Sequence, residues 1–178
     1  METDQIVLRQ TNWSWSGYWR RIRETLRFLR ITPVYYLSGG RIEYVSEDFR
    51  DLIIRIPHTW ITRNLVNSVF GGSLFAATDP IYMAMLMQAL GRDYFVIDKE
   101  GRMEYIKPLT SAGFARFELS QEVIDSIIQE CGAKKKSVRS FPVVIQNDKG
   151  TVVARGERTL YIRRMNTENV NSRLKRRM

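Results

Sequence analysis

The sequence predicts an α+β domain in which a curved antiparallel sheet wraps a single buried helix. Two observations carry that prediction. From Ser68 to Leu90 the chain is small and apolar, and Asp79 is its only charged residue. A helix that is apolar nearly all round must be buried on most sides. Around it lie six runs with strand character, two before and four after, and only a sheet built from them can cover so much helix surface.

Taken in order, residues 13–30 read as an amphipathic helix. Trp15, Tyr18, Trp19, Ile22, Leu26 and Leu29 recur every three or four residues, Ser16 offers an N-cap and Pro33 limits the far end. Two strands follow, the alternating Arg41–Val45 and the apolar Leu52–Ile56 closed by Pro57, with 47–51 as their turn. After the central helix, which Gly91 ends, Tyr94–Ile97 and Arg102–Lys107 read as one strand with a bulge or bend at 98–101. Gly113–Leu119 alternates. Ser120–Cys131 reads as a short helix capped by Ser120 and Gly132. Ser137–Gln146 and Thr151–Ile162 form a hairpin across Asn147-Asp148-Lys149-Gly150. Three segments result: an N-terminal extension with its helix over 1–33, the folded domain over 34–163, and a basic tail over 164–178 that is expected to be disordered.

Composition narrows the function. A chain of 178 residues, 44% hydrophobic, suits one domain with a real core. No run of apolar residues is long enough to span a bilayer, and the N-terminus lacks the order of a signal peptide. The single Cys131 excludes an internal disulfide and a cysteine-based metal cage, and the cytoplasm is the expected location. The net charge of +9 sits in the termini: residues 1–32 hold six arginines against three acids, and 163–178 six basic residues against one acid. The body is nearly neutral, so no specific nucleic-acid partner is expected. Contact of the Trp- and Arg-rich N-terminal helix with a membrane surface is a weaker alternative to packing on a sheet.

The segment with chemical content runs from Asn64 to Pro80. Backbone amides at a helix start favour developing negative charge, and Gly71 and Gly72 let a substrate approach them closely. Asp79 on an apolar helix must be hydrogen-bonded, shifted in pKa or open to a cavity, and it can act as a general base or nucleophile. Asp79-Pro80 also reads as a helix start, with Asp as N-cap and Pro in the first turn, which would leave Gly71–Thr78 as a loop. Both readings stand at this point. Asn64 and Asn67 offer a donor and an acceptor each, although either can equally shape a turn. Met83, with Met85 and Met87, reads as adaptable core or the wall of an acyl pocket. Arg139 and the Lys134–Lys136 run are cations that a phosphate would meet, or an ordinary solvated strand approach.

Trp60, Arg63-Asn64, Asn67, the block Phe70-Gly-Gly-Ser-Leu-Phe-Ala-Ala-Thr-Asp-Pro80 and the closing strand Arg155…Thr159–Arg163 resemble the hotdog superfamily. More narrowly they resemble the bacterial hotdog-like domain of unknown function related to phenylacetate-pathway acyl-CoA thioesterases. In that branch a His-Gly-Gly opens the central helix and an Asp follows seven residues after the second glycine, a spacing that Gly72 and Asp79 keep. Where the branch has His, this chain has Phe70; the only histidine, His58, lies twelve residues earlier. The resemblance implies an acyl-thioester hydrolase acting at a homodimer interface, with dimers that can pair further. Asp79 would be base or nucleophile, Gly71 and Gly72 the oxyanion site, and Asn64, Asn67, Phe70, Met83 and Arg139 would contact substrate. No cofactor or metal is implied, since coenzyme A would enter only as part of the substrate. Phe70 equally suits a non-catalytic domain that holds an acyl chain, lipid or coenzyme A-type ligand.

Overall fold

The computed structural model describes residues 33–165. The helix expected over 13–30 and the tail beyond Met165 lie outside them. A short helix α1 (Pro33–Leu37) leads into β1 (Arg41–Val45) and β2 (Asp51–Ile56), followed by the long helix α2 (Gly71–Leu90). Then come β3 (Tyr94–Tyr105), β4 (Gly113–Glu118), helix α3 (Gln121–Lys134), β5 (Lys136–Asn147) and β6 (Val152–Arg164). The six strands make one antiparallel sheet in the order β1-β2-β4-β5-β6-β3.

Period-two alternation builds the face that receives α2. Leu52, Ile54 and Ile56 of β2 pair with Phe117, Ala115 and Gly113 of β4, and the side chains of Leu52, Ile54, Ile56, Ala115 and Phe117 are fully buried. Phe141, Val143 and Ile145 of β5 and Leu160 and Ile162 of β6 continue the same apolar surface. Tyr82 fastens α2 over it. Its ring stacks on Phe141 with centroids 4.5 Å apart and meets Phe117 edge-on at 5.1 Å. Its hydroxyl donates to the Pro142 carbonyl at 3.2 Å.

The two readings of Asp79-Pro80 are resolved. Helix α2 starts at Gly71, where the N–H groups of Ser73 and Leu74 donate to the Phe70 carbonyl, and it runs as one helix through Pro80 to its C-cap Gly91. Burial on α2 is narrower than its composition predicts. Ser73, Leu74, Ala77, Thr78, Ile81, Tyr82, Met85, Leu86 and Leu90 form one buried stripe. A second stripe, from Gly72 through Phe75, Ala76, Asp79, Pro80, Met83 and Ala84 to Met87, is only partly buried or exposed, because the sheet covers one side only.

Two further expectations meet different outcomes. The bulge at 98–101 is present: β3 slips by one residue against β6 between Asp98 and Glu100. Helix α3 does not stop at Gly132. It continues to Lys134, with Lys135 in the left-handed region at φ 63°, and Glu130 ties its last turn to Lys134, Ser137 and Arg139. Those long-range contacts outweigh the cost of one glycine inside a helix.

Candidate active site

At the start of α2, nothing among the described residues accepts from the N–H groups of Gly71 and Gly72. These amides are the open donors every helix start leaves. The Gly71 carbonyl accepts from the Tyr105 hydroxyl at 2.9 Å, which fixes the helix end against the last residue of β3. Phe70, 57% exposed, lays its ring beside Gly72, where a Cβ would run into it. A side chain at position 72 would therefore displace the Phe70 ring.

Asn64 spends its amide locally. Its Oδ1 accepts from the N–H groups of Val66 and Ser68 at 3.1 and 3.0 Å, and its Nδ2 donates to Ser68 Oγ at 2.9 Å. Asn67 is exposed, holds a left-handed conformation at φ 59° and faces His58, whose Nε2 lies 3.1 Å from the Asn67 carbonyl. Met83 packs, partly buried, against the core. Arg139 pairs with Glu130 of α3 at 2.9 Å and is cross-strand from Leu160, which in turn is cross-strand from Asp98. It is thus level with Asp98, about six residues, or roughly 20 Å, along the sheet from Tyr105 and the Gly71 end.

Asp79 is the centre of a cluster that includes a residue the sequence reading missed. Arg158 Nη1 donates to Asp79 Oδ1 at 2.6 Å, with Arg158 3% exposed and Asp79 51% exposed. Arg158 Nη2 donates to Thr78 Oγ1 at 3.1 Å and to the Phe75 carbonyl, which also accepts from Thr78 Oγ1. The guanidinium lies 3.9 Å from the centroid of the Phe75 ring. It enters α2 in the turn where Pro80 removes a backbone donor. Gly101, cross-strand from Arg158, leaves the space: a Cβ there would sit 2.5 Å from Nη1 and 2.9 Å from the Phe75 ring. Burial pulls the guanidinium's pKa down, opposed by the charges of Asp79, Asp98 and Tyr105.

Asp98 belongs to the same cluster. Cross-strand pairs share a face, so Asp98 opposite Leu160 and Gly101 opposite Arg158 both look toward α2. Three residues apart on an unbroken strand, they would face opposite sides; the bulge brings them together. Asp98 Oδ1 is buried and has no hydrogen-bond partner among the described residues. Burial, and then the charge of Asp79, push this carboxyl up to about 6 against the pull of Arg158.

A signal for Arg158 existed in the sequence. Position 158 shares the parity of Leu160 and Ile162, so its charge falls on the core face, where it must be paired. The only carboxylate in the apolar helix opposite is Asp79. For Asp98, the bulge that changes the parity hides the signal.

The model of the family described as Domain of unknown function (DUF4442) matches residues 27–162. The chain belongs to this family. No curated protein matches it. Among solved structures, this family member is similar to a Pseudomonas aeruginosa protein of unknown function described as a probable thioesterase, with TM-score 0.72 and 21% identity over 80% of this chain and 95% of that one. It is also similar to a Chlorobaculum tepidum protein of unknown function, at TM-score 0.69 and 19% identity over 83% and 96% of the two chains. A thioesterase from Haemophilus influenzae matches at TM-score 0.59 and 16% identity over 80% and 90%. These likenesses establish the hotdog fold for the DUF4442 domain here. Among the described residues no group of His, Cys, Asp and Glu is placed to hold a metal, and no helix is long and apolar enough to cross a membrane.

Proposed function

We propose that this chain hydrolyses acyl thioesters of coenzyme A or an acyl carrier protein at a site shared between two copies of itself. One observation carries the reading: the uncovered stripe of α2 presents both halves of an acyl-transfer site. Open amides at Gly71 and Gly72 suit the oxyanion of a tetrahedral intermediate, and Asp79 presents a half-exposed carboxylate to the attacking water. Seven residues separate Gly72 from Asp79, roughly 10 Å at the rise of an α-helix. That is too far for both to serve one carbonyl within a single chain. A second copy laid antiparallel on the stripe would bring the amides of one chain to the carboxylate of the other.

The same copy would cover the apolar remainder of the stripe, Phe75, Ala76, Met83 and Ala84. Strand β3, twelve residues long, lies at the edge of the described sheet, where such an association can form. Met83 would then line the acyl site, Asn67 and Phe70 its entrance, and Asn64 would hold the entrance loop. Arg139 and Lys134–Lys136 would lie near coenzyme A's phosphates. The thioesterase likeness of the solved structures supports this reading, which places the enzyme in the cytoplasm, where such thioesters form. Purified protein tested on a panel of acyl-CoA substrates should hydrolyse at least one, and Asp79→Ala should abolish that hydrolysis. Unchanged turnover in the variant would sink the assignment.

The position of Phe70 favours a second reading, a non-catalytic domain that holds an acyl chain. Its ring lies at the helix start, where the branch it resembles carries a histidine. Lipid retained by the purified protein on mass spectrometry, with no thioester turned over, would select that reading.

A further inference from the structure

Resting on the hydrolase reading, we propose that Asp98 is the second carboxylate of the site and takes the proton of the attacking water, while Arg158 holds Asp79 in place to orient that water. The geometry separates the roles. Asp79 Oδ1 is engaged by a buried guanidinium, itself fixed by Thr78, the Phe75 carbonyl and the Phe75 ring. A carboxylate so held is well placed but has one oxygen already committed. Asp98 is the reverse case. A β-bulge turns it toward α2, its Oδ1 is buried, and no described residue donates to that oxygen. A carboxylate with one oxygen buried and unpaired is costly to keep, and such a group is a candidate for chemistry.

The groups facing Asp98 define its proton affinity. Asp79 on α2 disfavours its ionisation and Arg158 on β6 favours it, with Tyr105 on β3 acting on Arg158 in turn. Burial adds the largest contribution, and the carboxyl reaches about 6, where it can take a proton and return it near neutral pH. In the reaction, water oxygen bonds to the thioester carbon as its proton passes to Asp98. The carbonyl π pair moves to the oxygen held by the Gly71 and Gly72 amides of the second copy. Collapse of the intermediate expels the sulfur with its bonding pair, and Asp98 returns the proton to that sulfur, leaving a carboxylic acid and a thiol.

The test uses the full chain as wild type and Asp98→Asn, assayed on the best acyl-CoA of the panel from pH 5 to 9, with thermal denaturation of both proteins at pH 7.5. The expected result is an acid limb in wild-type kcat/KM near pH 6, and a loss of about 100-fold or more in Asp98→Asn. The same variant should melt no lower than wild type, because an amide replaces a buried charge. A purely structural Asp98 would not give that combination. Wild-type activity with Asp98→Asn within about threefold of it, or without the acid limb, overturns the role of Asp98 and leaves the hydrolase reading standing. A wild type that turns over no thioester overturns both.

Discussion

Arg158→Met is the most informative single perturbation of the cluster. Methionine keeps much of the stem's packing beneath α2 but deletes the guanidinium fork. Three hydrogen bonds go, and with them the contact on the Phe75 ring. The Phe75 carbonyl keeps its bond from Thr78 Oγ1, so it is not orphaned. Thr78 Oγ1 loses a charged donor, and the charged bonds into α2 together contribute about 1.5–3 kcal/mol. Asp79 is 51% exposed and regains water, so its ion pair adds no more than about 1 kcal/mol. The net loss is about 2–4 kcal/mol, part of it offset because a buried charge is no longer desolvated. For a chain of this size each kcal/mol moves Tm by about 2–4 °C, so a fall of about 4–16 °C is expected. Thermal and urea denaturation followed by circular dichroism measure it. Asp79→Asn alone and the double variant close a cycle whose coupling should be about 0.5–1 kcal/mol. A Tm within about 2 °C of wild type, or a coupling indistinguishable from zero, would refute the account of Arg158 as the tie between β6 and the helix.

The sign of the pH effect at Asp98 can be worked out directly. Its folded pKa, about 6, lies above the ordinary aspartate value of 3.8, so the folded state binds the proton more tightly; the stability this confers is fully present below about 3.8 and is lost as pH rises through about 6. Asp98→Asn should therefore stabilise by about 1 kcal/mol at pH 7.5, discounted because the group is only partly buried, and the gain should vanish near pH 4. An equal effect at both pH values would count against it. Gly101→Ala puts a methyl group against the guanidinium and the Phe75 ring, and overpacking there should cost about 1–3 kcal/mol by chemical denaturation; an unchanged midpoint would mean that the space is not needed. Ala84→Arg places a charge in the uncovered stripe of α2. Light scattering should find a dimer for the wild type and a monomer for the variant, with hydrolysis lost as well, and a variant that remains dimeric would move the interface elsewhere.

Much of the fold was legible because it rests on local rules. The apolar run Leu52–Ile56, the alternation in Gly113–Leu119, the turn at Asn147–Gly150 and the break at 98–101 all appear where the residues point. Gly132 misled because helix ends are also set by what lies beyond them: Ser137 and Arg139, on the next strand, bind Glu130 and hold one more turn. The Asp79-Pro80 pair was ambiguous for a similar reason. Capping preference favours a new helix there, whereas the buried stripe that runs from Ser73 to Leu90 favours continuity, and burial of so much apolar surface outweighs one lost backbone bond.

Helix α2 was read as one apolar rod, and the structure divides it into two stripes with different fates. The sheet buries one stripe from Ser73 to Leu90. The other holds Gly72, Phe75, Asp79 and Met83 at three- and four-residue intervals and receives little cover from the other described residues. Apolar residues that the described domain leaves uncovered argue for a surface supplied by something beyond it, and the only charge on that stripe is the carboxylate tied to Arg158. Sequence composition alone cannot divide the stripes, because residues facing a sheet and residues facing a second molecule obey the same hydrophobic preference. What distinguishes them is the cluster at the centre. A carboxylate held by a buried arginine, beside a second carboxylate with an unfilled oxygen, is arranged at some cost to stability, and on a stripe meant only for packing an apolar side chain would be cheaper.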